Sequence, residues 1–188
     1  MKTLGPVFLC AVIVVLTGCH GPSKAINDPN MQVILIGTNK LPSQYVGRWV
    51  ADREGWEINI EKDGRVSSIV HTIGRAPLIN GHTTTVDLIE NGKGTIRAGK
   101  WIVQYNDKTK ELVVEINIDK FRFVKGQQIV EGSSQDIFMG TISKDNQHWV
   151  AAWTSFPKYY VTTEAYNYYE LPRDEGSEDQ GFLDFVKK

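Results

Sequence analysis

Cysteine is almost missing from this chain: 188 residues hold two, and both, Cys10 and Cys19, stand near its beginning. Beyond Cys19 there is no thiol for a disulfide, a CxxC redox pair or a Cys-ligated metal, so stability has to come from a hydrophobic core. A charge excess is missing too, with 21 Lys and Arg against 22 Asp and Glu. Nucleic-acid binding needs a basic stripe along the phosphates, and none is visible. The four histidines, His20, His71, His82 and His148, are nowhere spaced to share one face of a short element, so no metal site is expected. A Gly-x-Ser-x-Gly elbow, a His-Glu-x-x-His motif, a phosphate loop and a dinucleotide fingerprint are all absent. Carboxylates are plentiful, but the pair closest to glycosidase chemistry, Glu57 and Glu115, falls on polar strand faces that normally meet solvent. These absences point away from an enzyme and from any cofactor. The one long apolar run, residues 7–16, is about half the roughly 20 residues that a bilayer span requires.

That run follows Lys2 and closes on Leu16-Thr17-Gly18-Cys19. A short apolar stretch behind an early positive charge has the layout of a signal peptide. The tetrapeptide resembles a bacterial lipoprotein signal, in which small residues precede a cysteine that is diacylated on sulfur before the chain is cut in front of it. The resemblance implies a signal peptide over residues 1–18, with Cys19 as the first mature residue, carrying acyl chains of the palmitate type. Two or more such chains hold a protein on a bilayer, where one gives only marginal binding. An aspartate after the cysteine resembles an inner-membrane retention signal in Gram-negative lipoproteins; His20 stands there instead, which implies the outer membrane in such a cell. The expected location is therefore the cell envelope, with the membrane as partner through Cys19. Nothing in the sequence names a protein partner.

Residues 19–40 are expected as a lipid-anchored linker. Residues 20–30 carry turn chemistry with almost nothing to bury, and fully extended they reach about 35 Å. Within the linker, residues 31–36 form an apolar run that reads as an N-terminal strand. The body is expected over residues 41–172, roughly 130 residues, long enough to bury about two thirds of its unfolded surface. Turn signals recur at short intervals, at Asp63-Gly64, Asn80-Gly81, Asn91-Gly92, Asn106-Asp107, Lys125-Gly126 and Asp145-Asn146. Between them, Trp56, Ile58 and Ile60 alternate with polar residues, as do Leu112, Val114, Ile116 and Ile118, and Trp101, Val103 and Tyr105. This is the period of half-buried strands in an antiparallel meander that closes into a barrel or sandwich. After Asp119-Lys120 the large apolar positions switch from even to odd at Phe121 and Phe123. One extra residue reverses the face of every later side chain, so a bulge is expected there. The last segment, residues 173–188, is expected as an acidic tail or a short helix, because Phe182, Phe185 and Val186 share helical spacing behind acidic residues 174–179.

The segment Tyr45-Val46-Gly47-Arg48-Trp49 resembles the Gly-x-Trp region that opens the first strand of lipocalins, and the alternating strand and Asp63-Gly64 turn behind it are similar to bacterial lipocalin-like lipoprotein domains. The resemblance covers about 25 residues. It implies an all-β, small antiparallel up-and-down barrel in which Gly47 lets the backbone bend and Trp49 plugs the closed end. An open β-sandwich is the structural alternative. The lipocalin Thr-Asp-Tyr motif is not found, and the arginine that packs on the family's Trp has its counterpart here in Arg173.

Aromatic residues are the feature that bears on function. Trp56, Trp101, Trp149 and Trp153 fall on apolar faces of four segments, and Phe156, Tyr159, Tyr160, Tyr166, Tyr168 and Tyr169 crowd into fourteen residues. Large aromatics pack barrel cores, yet a small barrel either fills its interior or holds one small ligand. Trp56, Ile58, Trp101, Val103, Tyr105, Val114, Ile116, Trp149 and Trp153 are the candidate ligand-lining residues. The expectation is an anchored envelope protein that binds or carries a small hydrophobic molecule; the alternative is an interaction module, an inhibitor or assembly factor, that binds protein or glycan through an aromatic surface. Anchoring is tested by Cys19→Ala. The variant should fractionate as soluble and lack the mass of acyl chains, and a variant that stays in the membrane with Cys10 intact would refute the assignment.

Overall fold

The computed structural model describes residues 24–27, 29–71, 75–88, 92–163 and 179–188. Cys19, the signal region, Arg173, Tyr166, Tyr168 and Tyr169 lie outside the described residues. The strands are β1 (Lys24–Asn27), β2 (Met31–Ile36), β3 (Gly47–Ala51), β4 (Glu57–Ile60), β5 (Val66–Val70) and β6 (Pro77–Leu78). They continue as β7 (Thr83–Asp87), β8 (Lys93–Asn106), β9 (Glu111–Lys125), β10 (Gln128–Ile142), β11 (His148–Thr163) and β12 (Asp179–Lys187). The only helical element among the described residues is a single 3-10 turn, Ser43–Tyr45, ahead of β3.

All twelve strands belong to one sheet. From β3 to β6, and again from β7 to β12, each strand pairs antiparallel with the next. The turn between β6 and β7 is tied to β8 instead, Gly81 N–H donating to Ala98 O and Ala98 N–H to His82 O. Then β12 returns to the start of the meander, setting Phe185, Val186 and Lys187 opposite Ala51, Val50 and Trp49. The sheet thus curls back on itself into a barrel-like, antiparallel-rich fold. It also runs beyond residues 41–172 at both ends, since β2 and β12 are part of it. β2 lies parallel to β8 along Trp101–Asn106, while β7 occupies the other half of the same β8 edge.

The alternation read from sequence is the alternation that is buried. Ile58, Ile60, Leu112, Val114, Ile116 and Ile118 all point into the interior. The switch of parity in β9 has its bulge: Ile118 pairs with Ser134 but Phe121 with Gly132, so Asp119 and Lys120 together oppose a single residue of β10. Both bulged residues are exposed, and Phe121 and Phe123 resume the inward side.

The short C-terminal helix is not formed, and this expectation is corrected. Those residues are β12, with Leu183 and Phe185 buried and Phe182 69 % exposed, the two-residue period of a strand. The physical reason is that an extended segment satisfies the backbone edges of β11 and β3 at once, which a helix laid on the wall would leave open.

One half of the interior is solidly filled. Trp49, Trp101, Trp149, Tyr45, Tyr105, Phe138 and Phe185 are all within 1 % of full burial. Trp49 is anchored within that half: its Nε1 donates to Tyr45 O at 2.9 Å, its ring meets Trp149 edge-on at 6.4 Å, and the Lys187 ammonium sits 5.4 Å from its centre. Lys187 of β12 also donates to Gln44 O. Gly47 has φ +130°, and a Cβ there would lie 3.1 Å from Lys187 Cε, so glycine admits both the backbone bend and the lysine that crosses it. Emptying the Trp49 site in Trp49→Ala should cost about 3–5 kcal/mol in urea-induced unfolding. A loss below about 1 kcal/mol would show that the plug contributes no more than a surface side chain.

Candidate ligand cavity

The four longest strands, β8 to β11, extend past the filled half, and between their far ends lies a cavity of about 480 Å³. By volume this equals roughly 16 waters, the range of a small-molecule site. One wall is Ile96, Ile118, Phe121, Phe123 and Val130; the other is Trp153, Pro157, Tyr159 and Val161 of β11. The β9 bulge builds the first wall. It turns Phe121 and Phe123 inward, where their rings stack at 5.1 Å with 15° between planes. Trp56 ends the aromatic packing of the filled half and lines the cavity as well, in edge contact with Phe138 at 5.1 Å.

A carboxylate is buried in this apolar surround. Asp136 of β10 is 2 % exposed and faces Ser155 across the β10–β11 ladder. Trp153 Nε1 donates to its Oδ1 at 3.1 Å and Ser134 Oγ to its Oδ2 at 3.3 Å, with a further side-chain hydrogen bond from Ser155. Burial pushes its pKa up; the three hydrogen bonds oppose that shift, and the nearby negative charge of Asp179 adds to it. His71 also lines the cavity, edge-on to Trp56 at 4.9 Å, and desolvation lowers its pKa to about 4. At neutral pH it is an uncharged imidazole. Glu54, in the left-handed region at φ 60°, and Asp179 complete the lining. Among the described residues, the lining thus has three carboxyl groups and no Lys or Arg.

Of the nine candidate lining residues, Trp56 and Trp153 line this cavity. Ile58, Trp101, Val103, Tyr105, Val114, Ile116 and Trp149 do not; each has 0 % exposure in the filled half, where bulky side chains from facing strands meet. Their role is packing. Sequence reasoning missed Asp136, Ser134 and Ser155, although Asp136 and Ser134 share strand parity with the buried Phe138. Of the aromatic cluster, Tyr159 lines the cavity, Phe156 is partly buried and Tyr160 is exposed. Glu57 is held by Arg48 and Arg75, while Glu115 accepts from Asn117 and Gln135. His82 is exposed, and His148 is paired with Asp184 at 2.9 Å. Among the described residues no three metal-ligating side chains converge.

Compared with family models, curated proteins and solved structures, the chain matches none.

The two buried titrating groups act on stability with opposite signs. His71 binds its proton less tightly folded than unfolded, so the fold loses stability as pH falls from 6.5 towards about 4, on the order of 3 kcal/mol in all. Asp136 binds its proton more tightly folded, so its contribution rises as pH falls into the carboxylate range. Urea unfolding across pH 4 to 7 should show a falling profile for the native chain, a flatter one for His71→Gln and a steeper one for Asp136→Asn. A His71→Gln profile that falls as steeply as the native one would mean that His71 is solvated.

Proposed function

We propose that this chain is a lipid-anchored protein of the cell envelope, held through acyl chains on Cys19, whose barrel binds or carries a small hydrophobic molecule. In a Gram-negative cell the anchor would sit in the outer membrane. The observation that carries the binding role is the cavity itself: a mostly apolar space above a floor already packed with aromatic rings. A rigid floor keeps such a space from collapsing when empty, so the ligand meets a preformed site. The lipocalin-like reading is supported by Gly47 and Trp49 opening β3 and by Trp49 lying beneath a cation contributed by the last strand. We read the protein as a binder and not an enzyme, because the buried Asp136 carboxyl is held by Trp153, Ser134 and Ser155 as an oriented group in a mostly apolar lining.

The alternative, an interaction module that binds protein or glycan through an aromatic surface, has one observation on its side. On the outer face, Met139, Ala152 and Phe182 form a row across β10, β11 and β12, with Met139 45 % and Phe182 69 % exposed.

Titration with an uncharged naphthalene-type probe separates the two. Binding in the cavity should change the fluorescence of Trp56 and Trp153 saturably, and Val130→Trp, which fills the space from its wall, should abolish the change while the protein melts as a folded domain. Phe182→Ser should leave binding intact. If the native protein shows no saturable change, or if Phe182→Ser removes it, the cavity is not the binding site.

A further inference from the structure

Resting on that reading, we propose that the cavity selects a hydrophobic amine, its ammonium placed at Asp136 and its apolar body against the Phe121 and Phe123 rings. The charge of the lining sets the sign. Asp136, Glu54 and Asp179 all carry carboxyl groups, and no cation among the described lining residues offsets them. A hydrophobic acid would enter against this field, whereas a cation enters with it.

The hydrogen bonding around Asp136 sets the position. An ionised carboxylate accepts at about four lone-pair sites. Trp153, Ser134 and Ser155 supply three donors, which orient the group and leave acceptor capacity for one more. None of the three is charged. A carboxylate in an apolar surround, held only by neutral donors, is costly to keep ionised, and an arriving ammonium relieves that cost with a charge-assisted hydrogen bond. His71 does not supply the missing charge, because its burial keeps it neutral.

The walls suit the same chemistry. Trp56, Trp153, Tyr159 and Phe121 line the space around the carboxylate, and aromatic faces attract a desolvated ammonium through their quadrupoles. Glu54 and Asp179 are exposed, which places negative charge where an incoming cation passes from solvent.

The experiment compares decylamine, decanol and decanoate at pH 7, below their aggregation concentrations, by calorimetry and tryptophan fluorescence. The amine should bind at least about ten-fold more tightly than the alcohol, the difference expected for a hydrogen bond to a charged partner, and the acid more weakly than the alcohol. Asp136→Asn, which keeps the shape of the side chain, should remove the amine's advantage over the alcohol. Decanoate binding as tightly as decylamine, or an amine preference that survives in Asp136→Asn, would overturn the proposal. Should Asp136→Asn fail to fold, the double variant Glu54→Gln/Asp179→Asn changes only exposed groups and should narrow the gap between amine and alcohol; an unchanged gap counts against the proposal. Decanol binding without an amine advantage defeats this inference alone, whereas no binding by any of the three, nor by the naphthalene probe, defeats the cavity reading itself.

Discussion

A continuous column of aromatic rings holds this fold together. Trp49 meets Trp149, Trp149 stacks on Phe185 at 4.8 Å, Phe185 meets Phe138 at 5.6 Å, and Phe138 meets Trp56. These rings come from β3, β11, β12, β10 and the residue ahead of β4, so the column crosses the place where β12 joins β3. With no cysteine beyond Cys19, the body of the chain has to secure that junction by packing, and each large aromatic removes roughly 150–250 Å² from water. The column also carries a cost. The Nε1 groups of its Trp56 and Trp149, and of Trp101 elsewhere in the filled half, are buried with no hydrogen-bond partner among the described residues, at about 1–3 kcal/mol each, which apolar burial of the rings has to exceed.

The same strands serve two purposes because β9 changes phase partway along. Below Asp119-Lys120 its even-numbered residues complete the column's surround; above it, Phe121 and Phe123 face empty space. β8 shifts register at the same level, where Ala98 pairs with Ile118 and Trp101 with Ile116. Bulges in two adjacent strands bend and twist the wall, so that the interior is dense on one side of that level and open on the other. The cavity is a consequence of this change of phase, and the position of Asp136 just above the filled half follows from it.

How much of this was legible in the sequence depended on what periodicity can encode. Alternation identifies which face a residue occupies, and it placed Ile58, Val103 and Ile116 inside, where they are. It carries no information about depth along a strand axis. Ile116 and Ile118 look equivalent in sequence, yet one is packed in the core and the other lines the cavity. The β9 bulge was readable because the parity of the large residues visibly changes. The C-terminal segment was not, since Phe182, Phe185 and Val186 fit a helix as well as Leu183 and Phe185 fit a strand, and the deciding partners, β11 and β3, are remote in sequence. The parallel pairing of β2 with β8 escaped for the same reason. Asp136 was overlooked because a polar residue in a strand is ordinarily assigned to solvent, and only its neighbours across the ladder make it an inward one.

Pro157 settles how the upper part of β11 meets the outside. β12 covers β11 only from His148 to Ser155, so the stretch beyond has no ladder on that side among the described residues. At the hairpin, Ser143 N–H donates to His148 O, which fixes the direction of alternate backbone groups; by that count residue 157 turns its nitrogen away from β10 and towards the uncovered edge. An uncovered edge is a template on which a second chain can add a strand. Proline has no N–H to offer such a chain, and Lys158 beside it is exposed. At this one position the edge therefore offers an incoming strand no donor.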